Sequence, residues 1–158
     1  MPKPSRKPGS DLFGLPDLVP KDAQKVFRAN RMFFLAIRLL KKCLKRGISA
    51  YLENPASSLV WLTPQILRLL QDPRVQLVTT DFCQFGTHWK NPTSLLLINC
   101  HPANFARCSG RKVCSLTGRP HLQLTGISGK AFITQQAQIY PKLFSRQLVL
   151  TFKHPVPP

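Results

Sequence analysis

Glu53 is the only glutamate in this chain of 158 residues, and its position favours a catalytic or ligand-binding role. It follows the apolar segment 48–52 and precedes Asn54-Pro55, a pattern typical of a buried strand that ends in a turn. Ligands of open α/β sheets bind at the carboxyl ends of the strands, so Glu53 and Asn54 are the candidate catalytic residues. Two structural roles stay open for Glu53, which are capping of the next helix and pairing with an arginine.

A second group of residues has the chemistry of a metal site. Structural zinc takes four cysteine or histidine ligands in a tetrahedron. The segment 100–125 supplies a candidate set of four, Cys100, Cys108, Cys114 and His121, beside a further donor in His101. Because the spacing contains no Cys-x-x-Cys pair, a basic loop with unligated thiols is the alternative. The other two cysteines, Cys43 and Cys83, are predicted to be small apolar residues of the core.

The charge of the chain indicates a polyanionic partner. There are 23 Lys and Arg against 6 Asp and Glu, a formal net charge of +17, which favours nucleic acid over an anionic membrane. Trp89 can stack on an unpaired base or belong to the core. The candidate phosphate contacts are Lys90, Arg107, Arg111, Lys112 and Arg119.

No apolar run is long enough for a membrane span, and the basic N-terminus lacks the apolar stretch of a secretory signal. Five cysteines, an odd number, favour a reducing compartment, so we expect an intracellular protein, nuclear if eukaryotic.

Periodicity predicts one α/β domain over residues 21–150, between a flexible, proline-rich basic arm (1–20) and a tail (151–158). The predicted helices cover 21–46, 65–71 and 134–138, and the predicted strands cover 48–52, 75–80, 94–99 and 121–125. The strand 94–99 is wholly apolar and is therefore expected at the centre of the sheet, with 48–52 and 75–80 as its neighbours. Glu53 would then share a cleft with Asn54, Lys90 and the Phe85-Gly86 loop.

The order of these segments resembles the second half of the DNA cytosine-5 methyltransferases. The resemblance rests on Glu53-Asn54-Pro55 after a strand, on the 81–93 connection with Phe85-Gly86, and on the segment 134–144. Residues 11–144 are similar to the methyltransferase-like domains of mobile elements of protists and algae. This resemblance implies a partial Rossmann-like methyltransferase sheet with flanking helices and a short basic Cys/His-containing insertion at 100–125. It also implies that Glu53 contacts the target cytosine.

The motifs for methyl transfer are missing from the chain. Neither the glycine-rich turn that binds S-adenosylmethionine nor the Pro-Cys nucleophile loop is present, so this cofactor is implied by resemblance alone. We therefore expect a remnant or fragment of a methyltransferase-like protein, inactive as an isolated chain, that binds nucleic acid. The alternative is a non-catalytic basic nucleic-acid-binding protein with a zinc-binding Cys/His loop. A fragment whose catalytic half lies upstream is a third possibility.

Overall fold

A small antiparallel sheet with helices on both faces is the centre of the fold. The computed structural model describes residues 4–101, 105–124, 127–128, 131–132 and 139–153. The helices are α1 (Pro20–Lys45), α2 (Pro64–Leu69) and α3 (Lys142–Lys153), and the strands of the sheet are β1 (Ala50–Pro55), β2 (Val75–Asp81) and β3 (Pro92–Ile98). Two 3-10 helices, Leu59–Leu62 and Phe82–Phe85, and an antiparallel pair of two-residue strands, β4 (Ile127–Ser128) and β5 (Ala131–Phe132), complete the described elements.

Strand β3 is the central strand, and its side chains form both halves of the core. It pairs antiparallel with β1 on one side and with β2 on the other. Successive side chains of a strand point to opposite faces. Leu96 and Ile98 therefore pack against α1 and α2, whereas Leu95 and Leu97 pack against Phe144 of α3. This placement confirms that the wholly apolar segment is the centre of the sheet, and that the three predicted strands are neighbours.

Helix α1 is amphipathic, with one buried stripe and one cationic face. Val26, Ile37 and Leu40 are buried, and Pro20 occupies the first turn, where its missing N–H costs nothing. The helix ends at Lys45, and Gly47 follows with a φ of +67°, a conformation that glycine adopts without strain. The opposite face exposes a row of cations, Arg28, Arg31, Arg38, Lys41, Lys42 and Lys45.

The described part of the N-terminal arm, residues 4–19, contacts α1. Arg6 Nη2 donates to Asn30 Oδ1 at 2.8 Å, and Asn30 Nδ2 donates to the Phe13 carbonyl at 2.7 Å. The Phe13 ring stacks on Phe34, with centroids 5.3 Å apart. These contacts explain why a polar Asn30 stands in the apolar stripe of α1. The flexibility of the arm stays a prediction.

Strand direction departs from the expected architecture. A mixed α/β fold is confirmed, but the sheet is antiparallel, whereas a Rossmann-like sheet is mostly parallel. The connection 82–91 between β2 and β3 is shorter than the roughly dozen residues that a parallel crossover needs.

Two further elements differ from expectation. Glu53 lies inside β1 rather than in a turn after it. The predicted strand 121–125 is wrong for residues 121–124, which have no regular structure, and the predicted helix 134–138 lies outside the described residues.

Candidate metal centre

Four side chains from two parts of the chain converge into one potential metal site. Cys83 lies in the 3-10 helix after β2, and the other three lie in the segment 105–124, which we call the metal loop. The donor atoms of Cys83, Cys108, Cys114 and His121 all lie within 4.8 Å of one another. Tetrahedral zinc, with Zn–S bonds of about 2.3 Å, places its ligand atoms roughly 3.5–3.8 Å apart. The 3.7 Å between Cys108 Sγ and His121 Nε2 matches that spacing, so the donor set fits zinc with little adjustment.

Tight turns in the metal loop aim the cysteine side chains inward. The Gly118 N–H donates to the Cys114 carbonyl at 2.9 Å, and the Cys114 N–H donates to the Arg119 carbonyl at 2.8 Å. Gly110 is required for close packing, because a Cβ built there would lie 1.7 Å from the Val113 carbonyl oxygen. The loop therefore folds back on itself without regular secondary structure.

The imidazole of His121 is oriented for ligation through one nitrogen. His121 Nδ1 lies 3.2 Å from the Arg111 carbonyl oxygen. Because a carbonyl oxygen can only accept a hydrogen bond, Nδ1 must be the donor. The ring proton is thus assigned to Nδ1, and the lone pair of Nε2 faces Cys108. Metal-binding histidines in proteins commonly have such a carbonyl partner on the second nitrogen.

Two buried or half-buried charges anchor the metal loop to the sheet. Lys90 Nζ donates to the carbonyls of Cys108 and Gly110, each at 2.9 Å. Asp81, at the end of β2, is fully buried, and its Oδ2 accepts from the Cys108 N–H at 2.8 Å and from Arg107 Nε at 2.9 Å. These contacts hold the Cys108 backbone from both sides.

The protonation of the cluster is uneven. Burial raises the pKa of the Cys83 thiol to about 12. Burial also opposes ionisation of Cys108, but hydrogen bonds from the Ser115 hydroxyl and N–H outweigh it and lower the pKa to about 6. The pKa of Cys114 is lowered in the same way, since N–H groups of the following turn outweigh burial. The pKa of His121 is raised because the Arg111 carbonyl and the two thiols outweigh the effect of burial. The lowered pKa values of Cys108 and Cys114 favour cation binding, whereas Cys83 and His121 must give up a proton to act as ligands.

One predicted ligand is wrong, and one was missed. Cys100 is buried in the core against α3 and is not in the cluster, because it lies two residues after the end of β3 and packs with Phe144. Cys83 takes the fourth position although its place beside a strand suggested a core residue. The available signal in the sequence was a glycine shortly after each of two cysteines. The Gly86 N–H donates to the Cys83 carbonyl, as the Gly118 N–H does to the Cys114 carbonyl, and both glycines have a positive φ.

The predicted nucleic-acid contacts divide into structural and exposed residues. Lys90 and Arg107 are engaged with the loop backbone and with Asp81, as described above. Trp89 is half-buried, and its Nε1 has no hydrogen-bond partner among the described residues. The exposed cations of the metal loop that have no acidic partner among the described residues are Arg111, Lys112 and Arg119, whereas Arg107, also exposed, is paired with Asp81.

Glu53 and Asn54 do not form one site. As neighbours in β1, they point to opposite faces of the sheet. Glu53 accepts hydrogen bonds from the Thr93 hydroxyl and, at 2.6 Å, from the Tyr140 hydroxyl. Burial, followed by the contact with Glu53, raises the pKa of Tyr140. Among the described residues Glu53 has no ion pair with an arginine, and Lys90 is bonded elsewhere. The carboxylate is held by two hydroxyls rather than by cations.

Comparison with protein-family models, with curated proteins and with solved structures gives no match to this chain. Within the described residues, none of the helices has the length and apolar character that crossing a bilayer requires.

Proposed function

We propose that this protein is a non-catalytic nucleic-acid-binding protein whose basic loop is folded by a zinc ion. The observation that carries the proposal is the cluster of Cys83, Cys108, Cys114 and His121, which closes a loop that exposes Arg111, Lys112 and Arg119. A zinc ion with four protein ligands has no open position for substrate, so its role in this arrangement is structural.

The charge distribution supports a polyanionic partner. Three of the six acidic residues, Asp22, Asp72 and Asp81, are in ion pairs with neighbouring cations. The cationic face of α1 and the exposed cations of the metal loop are left without acidic partners among the described residues. Phosphates fit such rows of Lys and Arg, and their binding releases condensed counterions.

The first experiment measures zinc and DNA binding together. We expect one zinc per chain, and duplex DNA binding that weakens with salt at a log–log slope of about −4 to −5 if about five phosphates are neutralised. Cys83→Ser should lose the zinc, whereas Cys43→Ser, outside the cluster, should keep it. Equal zinc content in the two variants would contradict the metal site, and a slope near zero would contradict phosphate binding.

A second experiment separates local contacts from general attraction. Arg111→Gln/Lys112→Gln removes two charges from the metal loop, and Arg68→Gln/Lys142→Gln removes two exposed charges elsewhere. The loop variant should lower DNA affinity clearly more than the control and reduce the salt slope by about two. Equal losses would assign binding to net charge alone.

A methyltransferase-like origin is our second proposal. Its support is the sequence resemblance and the oriented carboxylate of Glu53, while the antiparallel sheet and the separation of Glu53 from Asn54 count against it. A Rossmann-like arrangement and S-adenosylmethionine binding belong to this proposal alone. We expect no transfer of labelled methyl groups to DNA by the isolated chain. Incorporation above that of Glu53→Ala would reverse the order of the two proposals.

A further inference from the structure

A groove between the N-terminal arm and α1 is a second candidate site, separate from the metal centre. Its volume is about 630 Å³, within the range of roughly 300–1,000 Å³ typical of pockets for small ligands. Its lining is mainly apolar. The walls that matter here are Ala29, Met32 and Ala36 on α1 and Leu52, Leu59 and Val60 opposite.

The two alanines of α1 explain why the groove is open. Ala29 and Ala36 are two turns apart on one side of the helix, where larger residues would fill the space. Met32, between them, is 67% exposed and contributes an adaptable apolar surface. An apolar body can therefore lie along α1 in contact with β1.

Arg6 adds a cation at this groove. Its side chain is half-buried, and Nη2 donates to Asn30 Oδ1 at 2.8 Å and to the Val26 carbonyl at 3.5 Å. A guanidinium has five N–H donors, so these two contacts leave donors for a further acceptor. No acidic residue lines the groove, and within the described ranges Arg6 has no ion pair. A half-buried cation without a counter-ion favours an anion beside it.

We propose that this groove binds a small amphiphilic anion, with an aliphatic or aromatic body and a single carboxylate, sulfonate or phosphate end. The body lies between α1 and Val60, and the anionic end accepts from Arg6. Asn54 and Ser5 also line the groove and supply polar groups for the same ligand. This site is independent of the proposed zinc and DNA binding.

Calorimetry with decanoate and decan-1-ol tests the proposal, because the two differ only in the charged end. Decanoate should bind the wild type roughly tenfold more tightly than the alcohol, the effect of one charge-assisted hydrogen bond. Arg6→Gln should remove that difference and leave the alcohol unchanged. Arg28→Gln on the exposed face of α1 is the matched control and should retain the full decanoate affinity.

Filling the groove should abolish binding of both ligands. Ala36→Trp occupies the space with an indole. Independently of any variant, decanoate should shift the NMR signals of the Ala29, Ala36 and Leu52 amides of the wild type. Equal losses for Arg6→Gln and Arg28→Gln would overturn the proposal, since they would show general attraction by the net charge. Shifts confined to other residues would also overturn it. So would a concentration-dependent dimer that Ala36→Trp removes, because a second copy would then occupy the groove.

Discussion

The α1 side of the sheet and the metal loop obtain their order from different sources. On the α1 side, eight buried residues form one apolar cluster that includes Ile37, Trp61, Leu96 and Ile98. In the metal loop the only buried residues are Cys108 and Cys114, and apolar side chains such as Leu116, 61% exposed, face outward. The first region can fold by burying apolar surface, whereas the second buries little beyond Phe105, which packs against Phe144.

With the proposed zinc bound, this difference would make the metal a folding element for one region only. A structural zinc site contributes its binding free energy to folding because the unfolded chain has no preformed site. Lys90 and Asp81 join the loop to the edge of the sheet, so loss of the loop's structure should leave the pairing of β3 with β1 and β2 in place.

Removal of zinc should have the largest effect, and it should be confined to the metal loop. With a chelator, the N–H groups of Cys114, Gly118 and His121 should exchange at least about 100-fold faster, since their hydrogen bonds lie inside the loop. The amides of β3 should keep their protection. Hydrogen exchange measured by NMR with and without chelator checks this, and loss of protection in β3 would show that both regions depend on the metal.

Leu96→Ala should destabilise the sheet and α1 without removing the metal ligands. Leu96 is fully buried, and a cavity of this kind costs about 2–5 kcal/mol of the free energy of unfolding. Urea denaturation at saturating zinc measures the loss. The control is Leu116→Ala, which removes the same atoms from an exposed side chain of the metal loop and should cost less than about 0.5 kcal/mol. Similar losses of stability in the two variants would contradict the conclusion that apolar burial stabilises the α1 side but not the metal loop.

The same division explains what the sequence could predict. The three strands, α1 and α2 were predicted within a few residues because apolar periodicity specifies them locally. The antiparallel direction of the strands was not predicted, since it depends on the length of the connections rather than on the apolar pattern of each strand. Three of the four predicted ligands lie in the cluster, because Cys108, Cys114 and His121 share one loop, whereas Cys83 comes from another element and only the fold brings it close. Glu53 was predicted inside a cleft with Lys90, yet the two bond to different partners.

Zinc affinity should rise with pH. The Cys83 thiol, with a pKa of about 12, is protonated at neutral pH, so zinc must displace that proton. At least one proton is displaced, which raises the apparent affinity about tenfold or more per pH unit between about pH 7 and pH 8, and the raised pKa of His121 adds to this dependence. Below a pH of about 6 the dependence should steepen, because the Cys108 thiolate also becomes protonated. A competition titration with a chromophoric chelator measures this, and a flat profile would contradict the role of Cys83 as a ligand.

Lys90→Met should weaken the link between loop and sheet. It removes two hydrogen bonds from an ammonium group to the Cys108 and Gly110 carbonyls. We expect about a tenfold lower zinc affinity, since a looser Cys108 backbone must be ordered on binding. Lys112→Met, on an exposed cation of the same loop, is the control and should leave zinc affinity unchanged. Equal affinities in the two variants would mean that the loop is held by its ligands alone.

Asp72→Asn should have the smallest effect, and it concerns only the α1 side. Asp72 accepts from the Arg74 side chain at 2.8 Å and from its N–H, and Arg74 reaches the Leu44 carbonyl at the end of α1. The hydrogen bonds from Arg74 lower the pKa of Asp72 to about 2 from an ordinary 3.8. Because the folded pKa is the lower one, this stabilisation is complete above about pH 4 and is lost as pH falls through about 2. Both side chains are partly exposed, so the cost at neutral pH should stay below about 1 kcal/mol.

The measurement is the difference in urea midpoint between wild type and Asp72→Asn, at about pH 7 and at about pH 3. Zinc leaves both proteins in acid, so the difference between them isolates Asp72. It should be smaller at the lower pH, and Asp17→Asn, an exposed aspartate of the arm, should show no difference at either. A difference that grows in acid would have the wrong sign for a carboxylate stabilised by Arg74. We expect no change in zinc affinity at neutral pH, because Asp72 lies on the α1 side. Such a change would show that the α1 side influences the metal loop and would contradict their independence.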